Sequence, residues 1–146
     1  MTITNNNLYS ESYTILKNFI NTNLTDPRNR FKKQWVHASL PDLTNKGFDG
    51  YPFVVINMGL NEDEHSFDLN ISDKTFRITL SIYSNEPTEV DTLADELVNK
   101  FRTKTLTNNL NEFKAKSVTA SPLSTSIING LKIYSRIVNF RGHKRI

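Results

Sequence analysis

Between Phe76 and Tyr83 apolar and polar residues alternate without a break, with Phe76, Ile78, Leu80 and Ile82 on one side and Arg77, Thr79, Ser81 and Tyr83 on the other. Successive side chains of an extended chain point to opposite faces, so this stretch belongs in a sheet with one apolar face to bury. A half-buried strand of this kind suits antiparallel pairing with the second face open to water. Its apolar side requires another layer, and two helical patterns in the chain can supply one.

The first runs over about residues 8–24, where Tyr9, Tyr13, Leu16 and Ile20 fall four, three and four apart and Ile15 and Phe19 widen the stripe. Thr25-Asp26-Pro27 ends it, because proline disfavours helical geometry in the residue before it. The second is announced by Ser84-Asn85-Glu86-Pro87-Thr88, a helix start with capping residues, proline and acids in the first turn. Val90, Leu93, Ala94, Leu97 and Phe101 carry it to about Thr103. A weaker helical stretch is expected from Leu106 to Phe113.

Further strands are expected at Phe53–Met58, opened by Pro52 and closed by Gly59, and at Phe67–Ile71, with the acidic loop Asn61–His65 between them and a turn at Ser72–Lys74. Two more, about Lys116–Ser121 and Leu131–Phe140, flank a serine- and threonine-rich loop, Pro122–Gly130. Leu131 and Ile133 alternate in one phase and Val138 and Phe140 in the other, which predicts a bulge near Ser135. The expected fold is α+β: an antiparallel or mixed sheet of about four to five strands with two main helices packed on one face, in a single domain over residues 1–146.

A chain of 146 residues, 37% hydrophobic and 23% charged, can build a core of this kind. It has no cysteine, which excludes disulfides, thiolate metal sites and cysteine nucleophiles and fits a reducing compartment. Met1–Asn7 lacks the basic and apolar regions of a secretory signal. The longest apolar run, Phe53–Ile56, is far too short to span a bilayer, so no membrane role is expected. The net charge of +3 is mild but unevenly spread. Arg28, Arg30, Lys32 and Lys33 cluster early, Glu62, Asp63 and Glu64 form an acidic knot, and Lys132, Arg136, Arg141, Lys144 and Arg145 gather late with no acid among them.

Few of these residues resemble reaction chemistry. The five glycines form neither a dinucleotide fingerprint nor a phosphate loop, and no serine sits in a nucleophile elbow. The three histidines, His37, His65 and His143, have no metal-ligand spacing, and His65 beside Glu62–Glu64 is more simply a solvated loop. Asp68-x-Asn70-x-Ser72 opens like a calcium loop, but Asp73 stands where glycine is needed and Thr79 where a bidentate glutamate is needed. The acids Glu86, Glu89, Asp91, Asp95 and Glu96 lie on the second helix or at its start, largely opposite its apolar stripe, where they keep it soluble. No enzyme activity, metal or cofactor is expected. Arg28–Lys33 with Phe31 and Trp35 mixes bases and aromatics as single-strand binders do, although Phe31 and Trp35 are more simply packing anchors. The late basic run suits phosphate contact, a solvated tail or a subunit contact.

In its layout the chain resembles the tail terminator and head-tail completion proteins of long-tailed bacteriophages. The likeness runs from the helix Tyr9–Leu24 through Tyr51-Pro-Phe-Val-Val-Ile-Asn57 and Thr75–Tyr83 into the helix Thr88–Leu97 and a terminal strand pair. It is one of architecture and rests on no single motif. The resemblance implies a structural virion protein that assembles in the host cytoplasm and sits at the head-tail junction. It would form a hexameric ring that caps the tail tube, ends its polymerisation and meets the head connector or stopper. DNA would pass through the lumen without specific recognition. A connector or stopper role, or a small nucleic-acid-binding module, are the alternatives. Glu62, Asp63 and Glu64 against Lys132, Arg136, Arg141, Lys144 and Arg145 are the expected subunit or tube interface. The basic run is expected to meet protein, since a channel that DNA traverses should not grip it.

Overall fold

The computed structural model describes residues 8–30, 35–44, 48, 50–65, 72–103 and 114–145. Helix α1, Leu8–Asn23, is followed by a two-residue strand β1, Val36–His37, then β2, Phe53–His65, and β3, Ser72–Ser84. Helix α2, Pro87–Thr103, leads to β4, Lys114–Ala120, β5, Ser124–Ile128, and β6, Leu131–Arg145. The strands form one mixed sheet in the order β1-β2-β3-β6-β4, with β5 pairing β6 beyond β4. Only β1 against β2 is parallel. The fold is therefore α+β with six strands, slightly more than the pattern predicts.

Both helices cover the same face of the sheet. Ile15, Leu16, Phe19, Ile20 and Leu24 from α1 and Val90, Leu93, Ala94, Leu97 and Phe101 from α2 share one core with Val54, Ile56, Ile78, Leu80, Ile82, Val138 and Phe140. The helical spacing of three and four thus meets the strand spacing of two across a single apolar layer. Phe101 joins the three elements: it stacks on Phe19 at 5.2 Å between ring centroids and lies 4.3 Å from Phe140. Trp35 is buried in the same core, as a packing anchor should be.

Among the described residues, a second cluster covers one end of the opposite face. Tyr51, Phe53 and Ile133 are buried there, with Leu43, Phe48, Val55, Tyr83 and Ile128 packed against them. This second cluster explains the change of phase in β6. Ile133 points into it while Val138 and Phe140 point under the helices. No bulge at Ser135 is involved, because β3 and β6 pair without a shift from Asp73↔Arg145 to Ser84↔Tyr134. The irregularity lies in the neighbouring strand. Lys116 pairs with Arg141 and Thr119 with Asn139, so Ser117 and Val118 together span the single residue Phe140.

Three more expectations change. The residues Asn61–His65, expected as a loop, continue β2 through Gly59, and Ser72–Lys74, expected as a turn, begin β3. Pairing between strands, Glu62↔Thr75 through His65↔Ser72, holds these polar residues extended. The loop Pro122–Gly130 instead contains β5, joined to β6 by Asn129 and Gly130. Both have positive φ, 53° and 76°, the two-residue turn whose twist matches a hairpin. The expected strand Phe67–Ile71 and helical stretch Leu106–Phe113 lie outside the described residues, as do Phe31, Lys32 and Lys33.

Candidate functional surface

Arg28 and Arg30, the described members of the early basic cluster, are both engaged within the molecule. Arg30 is largely buried. Its guanidinium grips Asp26 at 2.8 Å and donates to the carbonyls of Gly50, Tyr51 and Pro52 at 2.9, 3.0 and 2.7 Å. It thereby fastens the end of α1 to the entry of β2. Arg28 forks onto Glu89 at 2.8 Å and also reaches Asn85, while buried Ser84 donates its hydroxyl to Glu89 at 2.8 Å and accepts the amide of Glu86. Burial pushes the Asp26 and Glu89 carboxyls up, but these donors outweigh it and leave both below the usual carboxylate range. Arg28 and Arg30 therefore form a structural clasp, and neither is free for nucleic acid.

Arg136 is also engaged. On β6 it donates to Asp91 of α2 at 2.7 Å and to the carbonyl of Ser121 at 2.9 Å. Its neighbour Pro122 has no amide to give the ladder, and the Ser121 hydroxyl accepts the Ile137 amide at 2.9 Å beside that break. Arg136 thus ties the kink between β4 and β5 to α2. No acid lies within the late basic run itself, but this member finds one within its own chain, on α2.

The other proposed interface residues lie towards the two ends of the sheet. Lys132 is exposed near the β5–β6 turn, where Ile127 is 70% and Leu131 47% exposed. At the far end Glu62, Asp63 and Glu64 register on Thr75, Lys74 and Asp73 of β3, and these register in turn on His143, Lys144 and Arg145 of β6. The acidic knot and the basic C-terminal run therefore share one end of a single sheet, two strands apart. Arg141 is exposed and registers on Arg77.

Register also adds residues that the sequence pattern left unassigned. β4, at the edge of the sheet, places Lys114 on His143 and Lys116 on Arg141. One row of positions thus runs Glu62, Thr75, His143, Lys114 from β2 to β4, and another runs Gly59, Arg77, Arg141, Lys116. Arg77 was visible only as a polar residue on the wet side of its strand. Its cross-strand neighbour cannot be read from spacing along the chain.

Beyond these rows, a hollow of about 450 Å³ between α2 and the β4–β6 edge is lined by Asp91, Asp95, Asn99 and Arg136 among others. Among the described residues no three histidine, aspartate or glutamate side chains gather as a metal site. No described helix is long and apolar enough to cross a membrane. His37 packs edge-on against Phe53, and its burial, with Lys17 and Arg30 nearby, holds it below the ordinary histidine value. Compared with known proteins, the chain matches no family model and no curated sequence.

Proposed function

We propose that the protein is a structural subunit that assembles head to tail into a ring, as the resemblance to tail terminators implies, and caps a phage tail tube at its junction with the head. The supporting observation is the pair of sheet edges. Among the described residues β2 is unpaired on its outer side beyond the two-residue β1, and β4 is unpaired on its own. The β2 edge carries Glu62, Asp63 and Glu64, and the β4 edge carries Lys114 and Lys116 at the same end of the sheet. The two edges stand about 14 Å apart, three strand spacings. An unpaired edge is a template for another strand. Because β4 runs antiparallel to β2, a neighbour's β4 laid against β2 continues the antiparallel alternation of the sheet. Contacts between two different surfaces of identical copies close into a ring when the rotation permits.

The two ends of β6 also differ in character, from exposed Leu131 beside the turn to the charged stretch Arg141–Arg145. Fifteen residues of strand separate them by about 50 Å. A subunit that joins two unlike assemblies, tube on one side and connector or stopper on the other, needs two unlike surfaces. Electron microscopy of tails carrying tagged protein tests the location: a six-fold ring at the head-proximal end is the expected image. Its absence there, together with a monomer by native mass spectrometry, would remove the reading.

A further inference from the structure

Arg77 and Arg141 occupy directly opposed positions on β3 and β6, both exposed, on the face away from the helices. Neither has an ion-pair partner among the described residues. Like charges directly opposite one another weaken a sheet, so the pair costs stability unless an anion sits between the two. Beside them Asn139 accepts the Thr79 hydroxyl through its Oδ1 at 2.9 Å. That bond turns the Asn139 amide N–H groups away from Thr79 and leaves them free to donate. Arg77, Asn139, Arg141 and the nearly buried Phe140 line a hollow of about 310 Å³. Lys116 holds the next register position in the arginine row.

We infer that this row binds the phosphate backbone of nucleic acid and does not read bases. Among the described residues, the side chains lining the hollow are mainly donors, and the Asn139 Oδ1 acceptor already takes one hydrogen bond. A phosphodiester offers acceptors only, and guanidinium forks match its oxygens in pairs. An acidic peptide would also bring backbone N–H donors, for which the described side chains here offer little acceptor capacity. Phe140 is 2% exposed, so no ring face is available for a base to stack on. Phosphate contacts carry no sequence information. Two or three contacts per copy are few, which keeps binding weak enough for DNA to move past. The assignment moves Arg141 from the protein contact expected of the basic run to a nucleic-acid contact. The row is present in each copy, so duplex binding by a monomer that also forms no ring on tails would remove the ring reading and keep this one.

Fluorescence anisotropy of full-length protein with a labelled mixed-sequence DNA duplex, over about 50 to about 200 mM salt, tests it. Log affinity should fall against log salt with a slope of about −2 to −3 per copy. Arg77→Gln with Arg141→Gln should bind at least about tenfold more weakly at low salt and lose about 2 from that slope. The same double variant should unfold no earlier than wild type, because it removes a repulsion. Arg77→Lys with Arg141→Lys should keep the slope, since the charges remain. The inference is overturned by wild type that leaves the duplex unbound at the lowest salt, by a glutamine variant that binds as wild type does, or by poly-glutamate held as tightly as DNA.

Discussion

Arg30 is one side chain holding four partners: the Asp26 carboxylate and three successive carbonyls at the entry to β2. Removing it leaves a mostly buried carboxylate unpaired and the carbonyls without their donor. Arg30→Ala should therefore cost about 2–4 kcal/mol in denaturant unfolding. Arg30→Lys should recover only part, since an ammonium cannot fork to several acceptors at once. The clasp also sets an acid limit. Asp26 and Glu89 have folded pKa values below their unfolded ones, so their stabilisation is complete above the unfolded values and is lost as pH falls through the folded ones. Denaturation midpoints followed from about pH 6 to about pH 2 should drop along that limb. Glu89→Gln should flatten the drop, costing stability near neutrality and little in acid. An unchanged slope would mean that the Arg28–Glu89–Ser84 contacts do not persist in solution. Little of this was legible beforehand. Arg28 and Arg30 stand out as bases, and Asp26 lies only four residues from Arg30, but the other partners lie 61 residues away at Glu89 and about 20 away at Gly50–Pro52.

Strands and helices were more readable where burial dictates the pattern. Ile78, Leu80 and Ile82 are fully buried against Leu93, Leu97 and Phe101, as strict alternation meeting a helical stripe requires. Leu80→Ala or Leu97→Ala should each cost about 2–5 kcal/mol by chemical denaturation. A loss under about 1 kcal/mol, the level of a surface site, would mean that these faces do not meet. Where pairing rather than burial holds a strand, the pattern misled. The charge of Glu62–Glu64 suggests a loop, yet they sit in a long antiparallel strand pair. Likewise Pro122 and the serines and threonines after it masked β5, although Asn129-Gly130 is among the strongest short-range hairpin signals a sequence can carry. The phase change at Ile133 was seen correctly and assigned the wrong cause. Its origin is a second apolar cluster built by Phe48 and Tyr51, distant in sequence, on the other face of the sheet.

At the scale of the whole molecule, the proposed ring depends on an acidic β2 edge and a basic β4 edge meeting between copies. Charge across such a contact fixes which surfaces can pair, and like charges facing one another exclude the wrong ones. Two variants isolate that term. Glu62→Lys with Asp63→Lys and Glu64→Lys makes both edges basic, and Lys114→Glu with Lys116→Glu makes both acidic. Arg136 is left intact because it braces the β4–β5 connection, and Arg77 and Arg141 because they lie on interior strands of the sheet and not on either edge. Native mass spectrometry of the two variants, separately and mixed, under conditions where wild type assembles, is the most direct measurement. Head-to-tail edge pairing predicts that each variant alone stays monomeric while the mixture forms closed rings with the two variants alternating. Variants that each assemble as wild type does, or a mixture that stays monomeric while both remain folded, would contradict it.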